Sequence, residues 1–299
     1  MVRVYKANVK LGKSINAALD EIKKDIEGGK IKTDEDIVKV DIAPGTYREK
    51  VSFTGEIDLE LEGGGIEAKD TVITGNEGGF DIMEDGVKRG TFNSYTMHFR
   101  TKILKLSNLT IKNEAAPGGE RGQAIALYMD SRRCFAENIS LISAQDTLFL
   151  APLPEKEREE NGFKGPGQYL ERLATKSFFV ECSITGDIDF IFGGGNATFT
   201  DCNIISTTKG QPEGGINGYV SAPSEENPDK EGYSGFTFKN CNFTTVNCPD
   251  NSVFLARPWR PYGKCSYTSC TFGPHIKPEK FTPWKKGEDI SNNFSVTEV

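Results

Sequence analysis

The chain has 299 residues, a formal net charge of −7 and 36% hydrophobic residues, so it can bury a sizeable core as one large domain or two small ones. We expect one domain over residues 1–299. The acidic balance and the lack of a long basic run argue against a nucleic-acid partner. The sequence has no run of about 18 apolar residues, so no membrane-spanning segment is expected.

The N-terminus and the cysteine usage bear on the cellular compartment. Residues 1–8 lack the apolar core of a secretory signal. The seven cysteines are an odd number and include no CxxC pair. We therefore expect few or no disulfides and a cytoplasmic location, with secretion after signal removal as the alternative. Only His98 and His275 could supply imidazole ligands, so zinc is not expected.

An amphipathic helix is predicted over residues 14–27. Ser14 is a suitable N-cap, and Gly28 follows the last helical residue. One face of this helix carries the apolar residues Ile15, Ala18, Leu19, Ile22 and Ile26. No comparable helix is predicted elsewhere in the first two thirds of the chain.

Short β-prone segments follow the helix, among them residues 36–42, 57–61 and 71–75. A short pattern, in which apolar residues flank an Asn or Cys, then recurs with a base period of about 20 residues and long insertions. Such a repeat is typical of a solenoid. Short strands with Gly-rich turns favour an all-β parallel β-helix, capped by the N-terminal helix. An antiparallel sandwich is the alternative, although hairpin signals are few. One internal ladder is expected from the polar residue of each repeat: Asn108, Asn138, Cys182, Cys202, Cys241 and Cys270.

Two segments interrupt the repeat and are predicted to be loop excursions beside the solenoid. Residues 151–172 contain three prolines and many charges, and residues 211–235 are rich in Gly, Pro and charge. Loops of this length often form the walls of a binding groove. The pattern fades after Phe272, so residues 273–299 are predicted to be a tail along the outside or over the end.

Residues 185–195 have an unusual composition, with two carboxylates in an apolar, β-prone run that ends in three glycines. Alternation along a strand would place Asp187 and Asp189 on one face. Ionised carboxylates in apolar surroundings need partners or water, and such acids are often functional. The alternative is a strand with one salt-bridged aspartate.

Chemistry is also suggested by Gln123, by Gln145 and Asp146, and by the run containing Arg257 and Trp259. Each has a structural explanation when taken singly. A glutamine can belong to a ladder, and Arg-Pro-Trp can be a packed corner with a cation–π contact. The acids could be a metal site or a glycosidase pair.

Five ordered segments together resemble the signature motifs of the pectin methylesterases: residues 45–49, 123–124, 145–148, 186–193 and 255–259. The resemblance implies a right-handed parallel β-helix that removes methyl groups from methyl-esterified homogalacturonan. It also implies that no metal and no organic cofactor takes part. The chain departs from the family pattern at Ala256, where glycine is usual.

The resemblance assigns roles within the site. Asp189 is similar to the nucleophile, Asp146 to the general acid/base and Arg257 to the residue that holds the nucleophile. Gln123 and Gln145 resemble the oxyanion donors. These roles agree with the chemistry, because a carboxylate nucleophile must be ionised and aimed, and amide N–H groups stabilise a tetrahedral oxyanion.

Aromatic residues are expected to line the substrate groove by the same resemblance: Trp259, Phe149, Phe192 and Trp284. Strict alternation from Asp189 would place Phe192 on the opposite face, so its groove role requires a bend before Gly193. The expected partner is methylated homogalacturonan or its oligomers, bound by a monomer.

Two other classes of function stay open at this point. A β-helical polygalacturonase could use two aspartates, and a pectate lyase could bind calcium through Asp187, Asp189 and Asp201. A non-catalytic polysaccharide-binding solenoid is the third possibility. Neither of these two enzymes would account for the paired glutamines. The presence of all five candidate catalytic residues argues against a non-catalytic solenoid: Gln123, Gln145, Asp146, Asp189 and Arg257.

Overall fold

The computed structural model describes residues 1–115 and 120–297, and within them the β-prone segments form short strands. The single α-helix of the described chain is α1 (Ile15–Glu27), and short 3-10 turns occupy Val9–Leu11, Ala68–Asp70 and Thr91–Asn93. In chain order the strands are β1 (Val2–Ala7), β2 (Ile37–Ile42), β3 (Gly45–Arg48), β4 (Val51–Thr54), β5 (Asp58–Gly63), β6 (Thr71–Gly75), β7 (Met97–Arg100), β8 (Ile103–Ser107), β9 (Thr110–Asn113), β10 (Leu127–Met129), β11 (Arg133–Glu137), β12 (Ser140–Ile142), β13 (Leu148–Leu150), β14 (Lys176–Val180), β15 (Ser183–Gly186), β16 (Ile188–Gly193), β17 (Asn196–Thr200), β18 (Asn203–Thr207), β19 (Gly218–Pro223), β20 (Phe236–Lys239), β21 (Asn242–Val246), β22 (Val253–Ala256), β23 (Cys265–Thr268), β24 (Thr271–Phe272) and β25 (Phe294–Thr297).

Parallel pairing arranges these strands in three sheets. Sheet 1 has the order β1-β2-β5-β8-β11-β14-β17-β20-β23-β25, sheet 2 the order β4-β7-β10-β13-β16-β19-β22, and sheet 3 the order β3-β6-β9-β12-β15-β18-β21-β24. From β2 to β22 the chain visits sheet 1, sheet 3 and sheet 2 in turn, so each of these circuits adds one strand to every sheet. This arrangement is a parallel β-helix, as the sequence predicts.

Alternating side chains build the core inside the coils. In β2 and β5, for example, every second side chain is buried. Equivalent positions on successive coils stack, and the inward aromatic column on sheet 1 has ring centroids 4.9, 4.7 and 5.0 Å apart in nearly parallel planes. The members of this column are Phe179, Phe199, Phe238 and Tyr267. Such a column both fills the core and aligns neighbouring coils.

The predicted N-terminal helix is confirmed. Ser14 caps α1 by accepting a hydrogen bond from the backbone N–H of Ala17, and the predicted apolar stripe packs against β1, β2 and β4, with all its residues buried except Ile26, which is partly buried. The carboxylate of Glu49 accepts hydrogen bonds from the backbone N–H groups of Ile15 and Asn16. A carboxylate at the N-terminus of a helix complements the helix dipole. Glu49 therefore links the first signature segment, residues 45–49, to the start of α1.

The single Asn/Cys ladder predicted from the sequence is wrong by one residue. The turn from sheet 1 to sheet 3 places one residue per coil at φ between 49° and 55°: Asn108, Asn138, Glu181, Asp201, Asn240 and Ser269. The cysteines come one position later and share their column with Leu109 and Ile139, whose side chains are buried. Backbone conformation selects the first column, because Asn and Asp tolerate left-handed φ, whereas burial selects the second.

Of the two predicted loop excursions, residues 151–172 are a loop and residues 211–235 are not. Residues 151–172 contain no strand or helix, although they bury Leu153 and Phe163. Residues 211–235 are not a single loop, because β19 lies within them and pairs with β16 and β22. Val220 is the only branched aliphatic residue of that strand, so its local signal is weak and its neighbours in sheet 2 determine its structure.

The segment 273–299 also differs from a simple tail. Its end forms β25, which pairs with β23 and extends sheet 1. Ile276 and Phe281 form isolated parallel bridges to Val253 and Ala256. Backbone pairing therefore holds this segment along the last coil. No helix among the described residues is long and apolar enough to cross a membrane.

The aromatic column predicts a large difference between two chemically identical substitutions. Phe199→Ala should lower the free energy of unfolding by about 3–5 kcal/mol, the usual cost of emptying a buried phenylalanine site. Phe135→Ala is the control, because Phe135 stacks on Phe178 at the outer surface of sheet 1 and is 41% exposed. The control should lose at most about 1 kcal/mol. Chemical denaturation measures both, and equal losses would contradict the inner column as a main stabilising element.

The cysteines give a second prediction. All seven are unpaired, and all are buried except Cys270, which is partly buried. Cys182, Cys202, Cys241 and Cys270 lie on successive coils in one column. Thiol titration of the purified protein under denaturing conditions should therefore detect seven free thiols. A count of about four or fewer would mean that members of the column are oxidised to disulfides.

Candidate active site

The candidate catalytic residues lie along sheet 2, where β16, β19 and the segments before β10 and β13 and after β22 line one cleft. Parallel pairing aligns Leu148 of β13 with Ile191 of β16. Asp146 and Asp189 each precede these partners by two residues, and both have left-handed φ, 66° and 49°. The solenoid repeat therefore brings two carboxyl groups together from adjacent coils.

The structure corrects the simple alternation expected for residues 187–192. Asp187 lies between β15 and β16, and its carboxylate accepts a hydrogen bond from the N–H of Ile188 at 2.5 Å. The left-handed conformation of Asp189 coincides with a register shift between Ile188 and Ile191 in the pairing with β19. A bulge of this kind re-aims the following side chains. As a result Asp189 and Phe192 both line the cleft, whereas Asp187 does not.

A two-point ion pair joins Asp189 to Arg257. The Nε and Nη2 atoms of Arg257 donate to the two carboxylate oxygens of Asp189 at 2.8 and 2.5 Å. Such charge-assisted, bidentate contacts are among the strongest protein hydrogen bonds. Burial raises the pKa of the Asp189 carboxyl, and the hydrogen bonds from Arg257 oppose that rise. Ala256, the departure from the family pattern, is fully buried at the end of β22.

Asp146 has the opposite environment. The residue is 7% exposed, and its carboxyl group makes no hydrogen bond or ion pair with a described residue. Burial, followed by the negative charge of Asp189, raises the pKa of the Asp146 carboxyl well above its ordinary value. Because the guanidinium donates hydrogen bonds to Asp189 and not to Asp146, it favours the ionised form of Asp189 over that of Asp146.

Gln123 and Gln145 stand in the same cleft, shortly before β10 and β13. A backbone hydrogen bond from the N–H of Ala124 to the carbonyl of Gln145, at 3.0 Å, links the two segments. Both side chains are partly exposed, and neither amide group makes a side-chain hydrogen bond with a described residue. Their N–H groups are therefore available to a bound molecule.

The aromatic predictions divide between the surface of the cleft and its support. Trp259, Trp284 and Phe192 line the cleft, which has a volume of about 410 Å³. Phe149 is fully buried and does not line it, so the prediction of a substrate contact there is wrong. The ring centroids of Phe149 and Phe192 are 4.9 Å apart, so Phe149 packs behind a residue that lines the cleft.

Sequence reasoning missed several residues of the cleft wall. Phe92 and Phe163 line the cleft and pack edge to face with centroids 5.8 Å apart. Arg158 also lines it and donates to the carbonyl of Trp259 at 2.6 Å. Phe163 and Arg158 belong to the 151–172 segment, where an aromatic residue within a polar insertion was the available signal. Phe92 had no such signal.

The three aspartates considered as calcium ligands do not converge. Asp201 lies in the turn between β17 and β18, at the junction of sheets 1 and 3, whereas Asp189 is on sheet 2. Among the described residues, no group of three His, Cys, Asp or Glu side chains is arranged to hold a metal ion. The calcium set proposed for a lyase is therefore not assembled at this cleft.

Solved structures of other proteins share this fold. The rice weevil pectin methyl esterase matches with a TM-score of 0.75 at 21% identity, covering 96% of this chain and 86% of that one. The pectin methylesterase from Yersinia enterocolitica matches with a TM-score of 0.72 at 24% identity, covering 95% and 89%. The carrot enzyme gives 0.73 at 21% identity, covering 96% and 78%.

Curated relatives agree at the level of sequence. Pectinesterase QRT1 of Arabidopsis thaliana is 28% identical over 254 residues, which make up 84% of this chain and 58% of the relative. Probable pectinesterase/pectinesterase inhibitor 64 of the same plant is 28% identical over 255 residues, 81% of this chain and 37% of the relative. The chain thus spans about half the length of these relatives or less. The family model described as Pectinesterase matches residues 6–153 and 163–296. The chain therefore belongs to the pectinesterase family.

Proposed function

We propose that this protein is a pectin methylesterase, which hydrolyses methyl esters of homogalacturonan to free carboxylates and methanol. The observation that carries the proposal is the pair of buried acids, of which only Asp189 is held by Arg257. A site that hydrolyses an ester through a carboxylate needs one ionised acid and one protonated acid at the same pH. Membership of the pectinesterase family supports the same reaction.

The first half of the reaction uses both acids. A carboxylate oxygen of Asp189 attacks the ester carbonyl carbon and forms a tetrahedral intermediate. The amide N–H groups of Gln123 and Gln145 donate to its oxyanion. When the intermediate collapses, the bond to the methoxy oxygen breaks and Asp146 gives that oxygen its proton, so methanol leaves. Asp189 and the galacturonate carbonyl are then joined as an anhydride.

The second half regenerates the enzyme. Asp146 is now ionised and takes a proton from a water molecule, whose oxygen attacks the anhydride. Cleavage of the anhydride releases the galacturonate carboxyl group and returns Asp189 to its carboxylate form. Arg257 favours that form, because it donates hydrogen bonds to both carboxylate oxygens.

A bell-shaped pH dependence follows from the two protonation states. Activity falls at low pH when Asp189 gains a proton, and at high pH when Asp146 loses its proton. Because burial raises the pKa of Asp146 well above its ordinary value, the alkaline limb lies far above the range of an exposed aspartate.

The cleft walls suit a polysaccharide chain. Trp259 and Trp284 line it beside the acids, and indole faces match the apolar faces of sugar rings. A polymer or oligomer of methylated galacturonate bound by a monomer is the partner that we propose. The cytoplasmic location expected from the cysteines and the N-terminus is not supported by the comparisons, and secretion after signal removal stays as the alternative.

Methanol release is the direct test of the proposed function. With methylated pectin as substrate, the protein should release methanol and should produce no new reducing ends and no unsaturated uronide. Activity should persist in EDTA, because the mechanism uses only side chains of this chain. Chain cleavage without methanol would support the polygalacturonase or lyase alternatives instead, and binding without any product would support a non-catalytic solenoid.

The roles of the two aspartates in residues 185–195 can be distinguished by matched substitutions. Asp189→Asn keeps the shape of the side chain but cannot form the anhydride, so kcat should fall by at least about three orders of magnitude. Asp187→Asn is the control, because it makes the same chemical change two residues away at a carboxylate outside the cleft. It should retain kcat within about tenfold.

Asp146→Asn should also be severely impaired, because no acid remains to protonate the leaving methanol. Methanol release and circular dichroism are measured for each variant. An active Asp189→Asn variant beside an inactive but folded Asp187→Asn variant would show that the nucleophile has been assigned to the wrong residue.

A further inference from the structure

Arg257 belongs to a column of stacked groups that continues beyond its ion pair with Asp189. The guanidinium carbon lies 3.7 Å from the ring centroid of Tyr219 and 4.3 Å from the ring centroid of Trp284. Tyr219 in turn stacks on Phe254, with centroids 5.7 Å apart and planes 9° from parallel. Two aromatic rings therefore pack against the guanidinium that holds Asp189.

Tyr219 can act on the reaction only through Arg257. It does not line the cleft, whereas Trp284 does. Its hydroxyl group makes no hydrogen bond with a described residue, so the ring is the part of the side chain that makes a specific contact. The ring is placed by β19, which pairs with β16, the strand that carries Asp189. One pair of adjacent strands thus supplies both the nucleophile and the surface behind its cation.

We propose that Tyr219 is a positioning residue for the ester hydrolysis, because its ring holds the Arg257 guanidinium in the plane that contacts both oxygens of Asp189. The proposal rests on the proposed function. Cation–π contacts with a partly buried guanidinium stabilise one orientation of the group and exclude water from its face. Without the ring, the guanidinium can tilt and hydrate, and its contact with the carboxylate weakens.

The charged groups around Asp189 determine the sign of the expected pH effect. Arg257 approaches it from the segment after β22, Asp146 from before β13, Asp187 from before β16 and Lys209 from after β18. Among the described residues only Arg257 contacts the carboxylate directly. A loosened Arg257 stabilises the ionised form less, so Asp189 would gain a proton at higher pH. The acidic limb of kcat/KM should then move upward.

The kinetic test compares three variants with the wild type. Tyr219→Leu should lower kcat/KM on the order of tenfold, as expected for the loss of a desolvated cation–π contact. It should also raise the acidic limb by about half a pH unit or more, since one unit corresponds to tenfold. Tyr219→Phe keeps the ring and should behave like the wild type. Phe254→Leu removes a ring of the same column that does not contact Arg257, and should leave the acidic limb in place.

A second measurement does not depend on activity. Arginine-selective 15N labelling reports the rotation of the Arg257 guanidinium, with its signals assigned through Arg257→Lys. The wild type and Tyr219→Phe should show separate, slowly exchanging Nη protons, and Tyr219→Leu should show averaged ones. Should Tyr219→Leu fail to fold, Tyr219→Val takes its place, because a β-branched residue suits a strand.

Two results would overturn the proposal. One is a folded Tyr219→Leu protein with unchanged Arg257 signals and an unchanged acidic limb. The other is an equal shift in Phe254→Leu, which would assign the effect to general packing of the column. If the wild type releases no methanol, the proposed function fails, whereas the Arg257 signals still decide whether Tyr219 holds the guanidinium.

Discussion

The two-point contact between Arg257 and Asp189 is the interaction on which the rest of the site depends. Two carboxyl groups lie in one buried cleft, and without a cation both would be driven toward the protonated form. The guanidinium reaches only one of them. Asp189 therefore has a partner for its negative charge, and Asp146 is left with burial and the repulsion of its neighbour. This asymmetry favours the ionised form of Asp189 and the protonated form of Asp146.

The repeat of the β-helix brings the two acids close together. Equivalent positions on adjacent coils lie one above the other, so Asp146 and Asp189 meet although they are far apart in sequence. Both depart from strand conformation by adopting a left-handed φ. Non-glycine residues in that region carry a cost of the order of 1–3 kcal/mol, which the hydrogen-bonded coils on either side can offset. The same conformation recurs in the turns between sheets 1 and 3, so it is a feature of the solenoid turns as well as of the two acids.

Local patterns predicted the helix, the solenoid class and the stretches that meet in the cleft. They failed where tertiary context decides the outcome. The strand β19 has a weak local signal and exists because β16 and β22 pair with it. The strict alternation of side chains predicted for this stretch fails at Asp189, because a bulge there changes the direction of the following side chains. The predicted Asn/Cys ladder is wrong by one residue, because left-handed conformation selects the Asn column and burial selects the neighbouring Cys column. The buried position of Phe149, and the place of Phe92 in the cleft wall, depend on packing that no short segment encodes.

The central claim is that one acid is ionised while the other is protonated at the same pH. Carboxyl 13C NMR of protein labelled at aspartate measures this directly, with signals assigned through Asp146→Asn and Asp189→Asn. On titration downward from alkaline pH, the Asp146 signal should change first and the Asp189 signal later, with an interval between them in which only Asp146 carries a proton. The reverse order, or two acids that stay ionised together through neutral pH, would contradict the account.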